Sequence, residues 1–365
     1  MTKISEITSF LENQAPLDLQ ESYDNSGLLV GNPENKVTEV LLTLDCTEDV
    51  LDEAIRKKCN LVIAHHPIIF KGIKSLTGKN YVERTVIKAI REKIAIYAIH
   101  TNLDNVRTGV NAKIAELLEL EETSILKPAK GNLLKLVTFV PHNNRLQVLN
   151  QLFEAGAGDI GNYSGCSFSV LGQGTFYPNE NAHPTIGEKG KHEEVEEARI
   201  EVILSETNKF RVFDALKRSH PYEEVAYYLS RLENPDTSVG SGLIGKLGHS
   251  LSQDQFLRHL RDHLNISVIR FTPVERKINK VAVCGGSGSF MIPHAKRQQA
   301  DALVTSDVKY HEFFDAEQQL LICDVGHFES EVFTKDLLQK MLNEKFTNFA
   351  VNLSETDTNP IRYFT

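Results

Sequence analysis

Leu61-Val-Ile-Ala-His65-His66-Pro67 is a short apolar run that ends on two histidines and a proline. An uninterrupted apolar run of this length is what a strand buried on both faces requires. Its neighbours repeat the theme. Upstream, Val40–Leu44 is another apolar run, and Thr47 to Lys58 has helical spacing with Thr47 placed as N-cap. Downstream, a helix is predicted through Val82–Glu92, then a strand over Ile94–Ile99 that runs into His100-Thr-Asn-Leu-Asp104. Strands alternating with helices predict a mostly parallel sheet.

The C-terminal segment runs through the same order. Val281–Cys284 reads as a strand, Gly285-Gly-Ser-Gly-Ser289 as a turn, and the stretch to Gln299 as a helix after Pro293. Ala302–Thr305 is a strand ending in Ser306-Asp307, and Leu320–Val325 runs into Gly326-His327-Phe-Glu-Ser-Glu331. LVIAHHP thus lies against ALVTSDV, and AIYAIHTNLD against LICDVGHFESE. His100 and Asp104 share the i, i+4 spacing of His327 and Glu331. An internal repeat of this kind predicts two similar lobes, with sites outside the carboxyl ends of their strands.

Between them the pattern changes. Strand signals at Leu133–Val140, Ser167–Leu171, Arg199–Leu204 and Val225–Leu229 interleave with helices at Asn144–Glu154 and Lys209–Ser219, the βαββαβ order of a ferredoxin-like unit. Clusters at Lys127-Pro128 and Val239–Gly245 mark its borders. The expected architecture is therefore α/β: two similar lobes, residues 1–126 and 249–365, form one discontinuous metal-binding domain. An α+β domain is inserted over 127–248. Within the insert, Gly156-Ala-Gly-Asp-Ile-Gly161 follows a helix rather than a strand and is no dinucleotide fingerprint. His220-Pro-Tyr-Glu-Glu-Val225 is read as shaping packing or a subunit interface.

The strand ends carry the chemistry. His65, His66, Asp104, His327 and Glu331 make a mixed nitrogen and oxygen set. It suits Zn²⁺ above all, or Fe²⁺ or Mn²⁺, better than cations that prefer oxygen alone. Five ligands are too many for one tetrahedral ion with an open position and suit two divalent ions sharing a carboxylate. The doublet His65-His66 either bends out of the strand to serve one ion or serves two. Against this stands the plainer reading of strand-end histidines as ordinary hydrogen-bonded side chains, which the matched His327-x-x-x-Glu331 outweighs. His100 is read as structural ahead of orienting a ligand. Asp307, Tyr310 and His311, past the mirror strand, would face the same cleft and bind substrate or move protons, or else simply start a solvated helix. Gly285, Gly286 and Gly288 would present backbone N–H groups to an anion, or only make a tight turn.

Composition limits the partners. Across 365 residues the net charge is −9, which argues against broad nucleic-acid binding. MTKISEITSFLENQAP reads as a capped amphipathic helix, not a leader, and no apolar run approaches the roughly 18 residues of a membrane span. Five scattered cysteines, never in a C-x-x-C pair, point to reduced thiols and a cytoplasmic chain. None is expected beside the site, and no G-x-S-x-G elbow occurs, so a covalent nucleophile is not foreseen.

His65-His-Pro, His100-Thr-Asn-Leu-Asp104, Gly285-Gly-Ser-Gly288, Ser306-Asp307-Val-Lys-Tyr-His311 and Gly326-His327-Phe-Glu-Ser-Glu331 resemble the motifs of the GTP cyclohydrolase 1 type 2 homologs, the Nif-three-like family of YbgI and YqfO type. Ser306 stands where that family carries Gly. Gly156–Ser169 and His220–Glu224 resemble the PII- or CutA-like insert of its longer members. The resemblance implies a dinuclear metal site on the five residues above and a toroidal homohexamer with the sites facing an inner cavity. Two functions follow. One is a metal-dependent hydrolase acting on a nucleotide or another small phosphorylated or heterocyclic substrate, opening a guanine ring at C8 in the cyclohydrolase case. The other is a regulatory or metal-handling scaffold in which the insert senses a ligand or assembles the oligomer.

Overall fold

A computed structural model describes residues 1–364. It is a mixed α/β structure of several sheets that divides into two compact units, Met1–Lys127 with Val239–Thr365, and Pro128–Ser238.

In the first unit one sheet has five strands in the order Gly27–Val30, Ala95–Ala98, Leu61–Ala64, Val40–Thr43, Val351–Leu353. All neighbours are parallel except the first pair. The second sheet has six strands, ordered Arg270–Phe271, Leu321–Asp324, Ala302–Ser306, Ile278–Ser287, Pro235–Leu251, Glu121–Lys130. Its three central strands are parallel. In both sheets a short antiparallel strand flanks the third parallel strand.

The apolar runs explain why both faces are covered. Val40, Leu42, Leu61 and Ile63 enter the same core as Val281, Val283, Ala302 and Val304 of the second sheet. The alternate residues Leu41, Val62 and Ile96 pack on Val50, Leu51, Val86 and Ala89 of the helices Glu48–Arg56 and Tyr81–Arg91. Ala282, Leu303 and Ile322 do the same against Met291, Ile292 and Ala295. Each of these Val, Leu, Ile and Met side chains, fully buried, contributes about 1.5–3 kcal/mol. Thr47 caps its helix by accepting from Val50 N–H at 3.4 Å, and Asn80 accepts from Glu83 N–H at 2.9 Å.

In the second unit four antiparallel strands lie in the order Phe168–Phe176, Glu193–Ser205, Leu133–Pro141, Tyr227–Arg231. Helices Arg145–Glu154 and Lys209–Ser219 pack on them through Val148, Leu152, Val212 and Leu216.

Two sequence readings are corrected here. The border expected at 248 falls at Ser238, where the Val239–Gly245 stretch that marks it begins; that stretch runs on with the larger unit as part of the strand Pro235–Leu251. The turn expected at Gly285–Ser289 is largely strand: Ile278–Ser287 continues through Gly285 and Gly286, with a register shift before Ser287 pairs Ser306. Among the described residues no helix is long and apolar enough to cross a membrane.

Candidate metal centre

Leu61–Ala64 ends at His65, whose N–H donates to Thr43 O, and His66, whose N–H donates to Leu44 O. The backbone therefore stays beside its parallel neighbour while the two imidazoles separate. His65 is fully buried, and its Nδ1 lies 2.8 Å from Ile99 O. A carbonyl only accepts, so Nδ1 carries the proton and Nε2 presents a lone pair. That Nε2 lies 3.7 Å from Asp104 Oδ1 and 3.8 Å from Glu331 Oε1. His66 donates from Nδ1 to Asp45 Oδ1 at 2.8 Å and turns Nε2 to Glu331 Oε2 at 2.9 Å.

The second sheet supplies the other half. Leu321–Asp324 ends at Gly326, whose φ of +94° and lack of a side chain set up the helix His327–Glu331; a Cβ there would lie 2.2 Å from Glu329 Oε2. One helical turn puts His327 Nε2 3.0 Å from Glu331 Oε2. His327 Nδ1 donates to Asp307 Oδ2 at 2.6 Å. Asp307 itself has φ +55°, a left-handed conformation that Asp tolerates better than most residues.

The two oxygens of Glu331 thus face different groups: Oε1 meets His65 beside Asp104, and Oε2 meets His66 and His327. Ligand atoms of His65, Asp104 and Glu331, of His66, His327 and Glu331, and of His65, His66 and His100 each lie within 4.8 Å of one another and could hold a metal ion. The donor chemistry fits such an ion. His65 Nε2 and Asp104 Oδ1 are buried with no hydrogen-bond partner, a costly state for polar atoms unless something binds them. Each of the three imidazoles is fixed through Nδ1 by a carbonyl or carboxylate, the arrangement by which metal-ligating histidines are oriented.

Charge in the cluster is strongly coupled. Burial opposes ionisation of Glu331, but the hydrogen bonds from His327 and His66 and the imidazoles crowded around it overcome that and hold the carboxyl well below its usual range. Burial opposes the protonation of His66, yet Asp45 and Glu331 push it up to about 10. His327, likewise opposed by burial, is raised to about 9, by Glu331 and then Asp307. Burial, then the charge of Glu331, raises Asp104 to about 8. At pH 7 all three therefore hold protons that a metal must displace. Loading with Zn²⁺ near neutral pH is expected to release protons, and affinity is expected to fall as pH falls. Calorimetry in two buffers of different ionisation enthalpy measures the release; identical heats would show that no proton leaves.

Several site residues escaped the sequence reading. Asp45 and Asp24 had no motif around them, yet Asp45 fixes His66, and Asp24 accepts from His100 Nδ1 at 2.7 Å and from Thr101 N–H at 3.0 Å. His100, read as structural ahead of orienting a ligand, faces the cluster: its ring centroid lies 5.3 Å from that of His65 and 5.4 Å from that of His66. Asp307, read as facing the cleft, holds His327 through Nδ1 at 2.6 Å. His311 is exposed on the 3-10 turn Tyr310–Ala316, its ring stacked near Phe314, and joins none of the converging groups. The glycine anion site is also corrected. Gly285 N–H already donates to Asn111 Oδ1 and Gly286 N–H to Ser330 Oγ, both at 3.0 Å. Their purpose is clearance: a Cβ on Gly286 would lie 2.3 Å from Glu331 Oε1, and one on Gly288 2.2 Å from Thr305 Oγ1.

Asp45→Asn and Asp307→Asn are expected to weaken metal binding about 10–100-fold without abolishing it, because each loosens a histidine rather than removing it. Competition against a chromophoric chelator reads this; native affinity in both variants would show the aspartates to be bystanders.

The cluster opens into a cavity of ≈ 940 Å³ walled by Tyr23, Phe70, Phe290 and Lys127 as well as His66, His100 and His327. Cys46 and Cys284 also reach this wall, against the expectation that no cysteine lies beside the site. Burial, then Asp45, pushes the Cys46 thiol up to about 12, and burial, Asp104 and Glu331 push Cys284 up as well, so both are protonated thiols.

The chain matches the Duf34/NIF3 (NGG1p interacting factor 3) family over residues 2–360. It is 40% identical over 363 residues to the "GTP cyclohydrolase 1 type 2 homolog" of Halalkalibacterium halodurans, covering 98% of each chain. A Bacillus subtilis protein of the same name is 38% identical over 364 residues, again covering 98% of each. A Bacillus cereus protein related to NIF3 has a similar structure, with TM-score 0.87 and 38% identity over 100% of this chain and 99% of that one.

Proposed function

This chain belongs to the Duf34/NIF3 family, and on that premise we propose that it is a dinuclear metal-dependent hydrolase of a nucleotide or other small phosphorylated or heterocyclic substrate. The carrying observation is Glu331, whose two oxygens each face a separate set of imidazole and carboxylate donors. His65, Asp104 and Glu331 would hold one ion, and His66, His327 and Glu331 the other. Bound divalent ions supply Lewis acidity and an acidified water.

The chain's own residues do the rest. Asp24 holds His100 with Nδ1 protonated, so the imidazole turns a basic Nε2 to the cavity, placed to take a proton from the attacking water. Lys127, whose Nζ lies 5.4 Å from the Phe290 ring centroid, is the cation in the cavity wall suited to a phosphate, the role first given to the glycine turn. Tyr23, Phe70 and Phe290 offer flat apolar surface to a heterocycle and exclude water.

Architecture belongs to the same proposal. The flanked parallel strands of the two sheets support a pair of similar lobes. The 4-1-3-2 order of the smaller sheet supports a ferredoxin-like insert of the PII or CutA type. A homohexamer in the cytoplasm completes it; sedimentation as a monomer would remove that part.

The test is a metal-analysed preparation assayed on a panel of nucleotides and phosphoesters beside His66→Ala. Turnover is expected to depend on added metal, to vanish on chelation and to survive Cys46→Ala and Cys284→Ala. His100→Asn is expected to lower kcat about 10²–10⁴-fold with metal content intact. Turnover that persists without metal would overturn the mechanism; a fully loaded protein inert on the whole panel would favour the metal-handling scaffold.

A further inference from the structure

The smaller unit holds a cavity of its own, ≈ 510 Å³, lined wholly by residues between Phe139 and Tyr228. Its walls are aromatic: Phe139, Phe176, Tyr222 and Tyr228 all contribute, with the Phe139 and Tyr228 rings 5.6 Å apart and nearly perpendicular. Its charged residues are all acidic, Glu197, Glu223 and Glu224, and no Lys, Arg or His lines it. Glu223 and Glu224 are exposed, but Glu197 is only 8% exposed. Among the described residues Glu197 joins no salt bridge: the basic side chains Lys135 and Arg199 pair with Glu201 instead.

The sequence makes room for that carboxylate. Glu197 sits on the strand Glu193–Ser205 beside Phe168–Phe176, and a Cβ on Gly174 would lie 2.0 Å from Glu197 Oε2. Tyr222 adds a buried hydroxyl that faces Glu197. His220 fixes this wall. Its Nε2 donates to Phe139 O at 2.8 Å, and its Nδ1 accepts from Tyr222 N–H at 3.1 Å. With one ring nitrogen donating and the other accepting, His220 is a neutral imidazole and supplies no countercharge. Tyr222, Glu223 and Glu224 of His220-Pro-Tyr-Glu-Glu, the segment read from the sequence as shaping packing or a subunit interface, thus line this cavity.

We propose that this cavity binds a small organic cation carrying N–H donors, an aliphatic amine or polyamine, with Glu197 as its counterion and the aromatic rings around its alkyl chain. A buried carboxylate accepts a charge-assisted hydrogen bond from an ammonium, and aromatic faces attract cations desolvated beside them. A bare divalent ion fits less well, because Glu197, Glu223 and Glu224 do not bring three ligand atoms together as the other cluster does.

The test is calorimetric titration of the full-length chain with spermidine. Saturable binding is expected, weakened at least tenfold by Glu197→Gln and several-fold by Tyr222→Phe, with circular dichroism and Tm of both variants native-like. Asp159→Asn, which removes the same charge from an exposed position, is expected to bind as the native chain does, and so is His66→Ala. No binding into the millimolar range, undiminished binding by a folded Glu197→Gln, or equal loss in Asp159→Asn would each overturn the proposal. The last outcome would mean attraction by net negative charge alone.

Discussion

Glu331→Ala is expected to retain no divalent ion in either group of the cluster, whereas His65→Ala and His327→Ala each leave the opposite group populated. The reason is the position of Glu331. It is 3% exposed, and each oxygen approaches different donors, 3.8 Å from His65 on one side and 2.9 Å and 3.0 Å from His66 and His327 on the other. Removing it takes a ligand from both groups and the only carboxylate from the His66–His327 pair. It also leaves the raised histidines without their principal counter-charge, so their pKa values fall back toward the ordinary range. Glu331→Gln tests the charge alone, since its shape is retained. Elemental analysis after saturation with Zn²⁺ and removal of free metal gives the ions per chain. A Glu331→Ala protein that is folded and carries as much metal as the native chain would defeat the shared-carboxylate arrangement.

The second large effect is expected at a residue remote from any motif. Glu53, on the helix Glu48–Arg56, is 1% exposed. Its carboxylate accepts from Ser354 Oγ at 2.7 Å, Glu355 N–H at 2.9 Å, and Thr356 N–H and Oγ1 at 3.2 and 2.6 Å, and it pairs with Lys57 at 2.9 Å. This pins the segment after the strand Val351–Leu353. Two residues further on, Thr358 donates to Asp45 Oδ2 at 3.0 Å, and Asp45 in turn holds His66. Glu53→Ala leaves Ser354 Oγ and the part-buried donors of Glu355 and Thr356 unmatched and is expected to cost about 2–3 kcal/mol, read from urea unfolding. It should also weaken metal binding through His66. A loss under about 1 kcal/mol, the value of an exposed pair, would refute the anchoring role.

The same carboxylate carries a pH signature. Burial opposes its ionisation, but the donors from Glu355, Thr356 and Ser354 hold Glu53 well below its ordinary 4.5. A depressed folded-state pKa gives stability that is present in full above the ordinary value and is lost as pH falls toward the folded one. The stability gap between the native chain and Glu53→Gln should therefore be constant near neutrality and close progressively below about pH 4.5. A gap unchanged through that range would mean that Glu53 does not titrate against folding.

Much of this was legible in the chain itself. Apolar runs such as Leu61–Ala64 and Ala302–Ser306 are strands because buried parallel strands need apolar side chains on both faces, and that is a local property. The i, i+4 spacing of His327 and Glu331 places both on one helical face whatever surrounds them. What stayed hidden depends on distant partners. The antiparallel strand Gly27–Val30 exists because Ala95–Ala98 offers it an edge, and Val351–Leu353 because Val40–Thr43 does. Glycine signals misled for the same reason: at Gly286 and Gly288 the requirement is close approach of Glu331 and Thr305, which no local pattern encodes. Asp24, Asp45 and Glu53 are isolated acids in sequence and acquire roles only when folding brings His100, His66 and the C-terminal segment against them. Residue types and their periodicity determined which strands form and which side chains end them. Only the tertiary structure decided which oxygen of Glu331 faces which histidine, because that depends on bringing residues 65, 66, 104, 327 and 331 to one point.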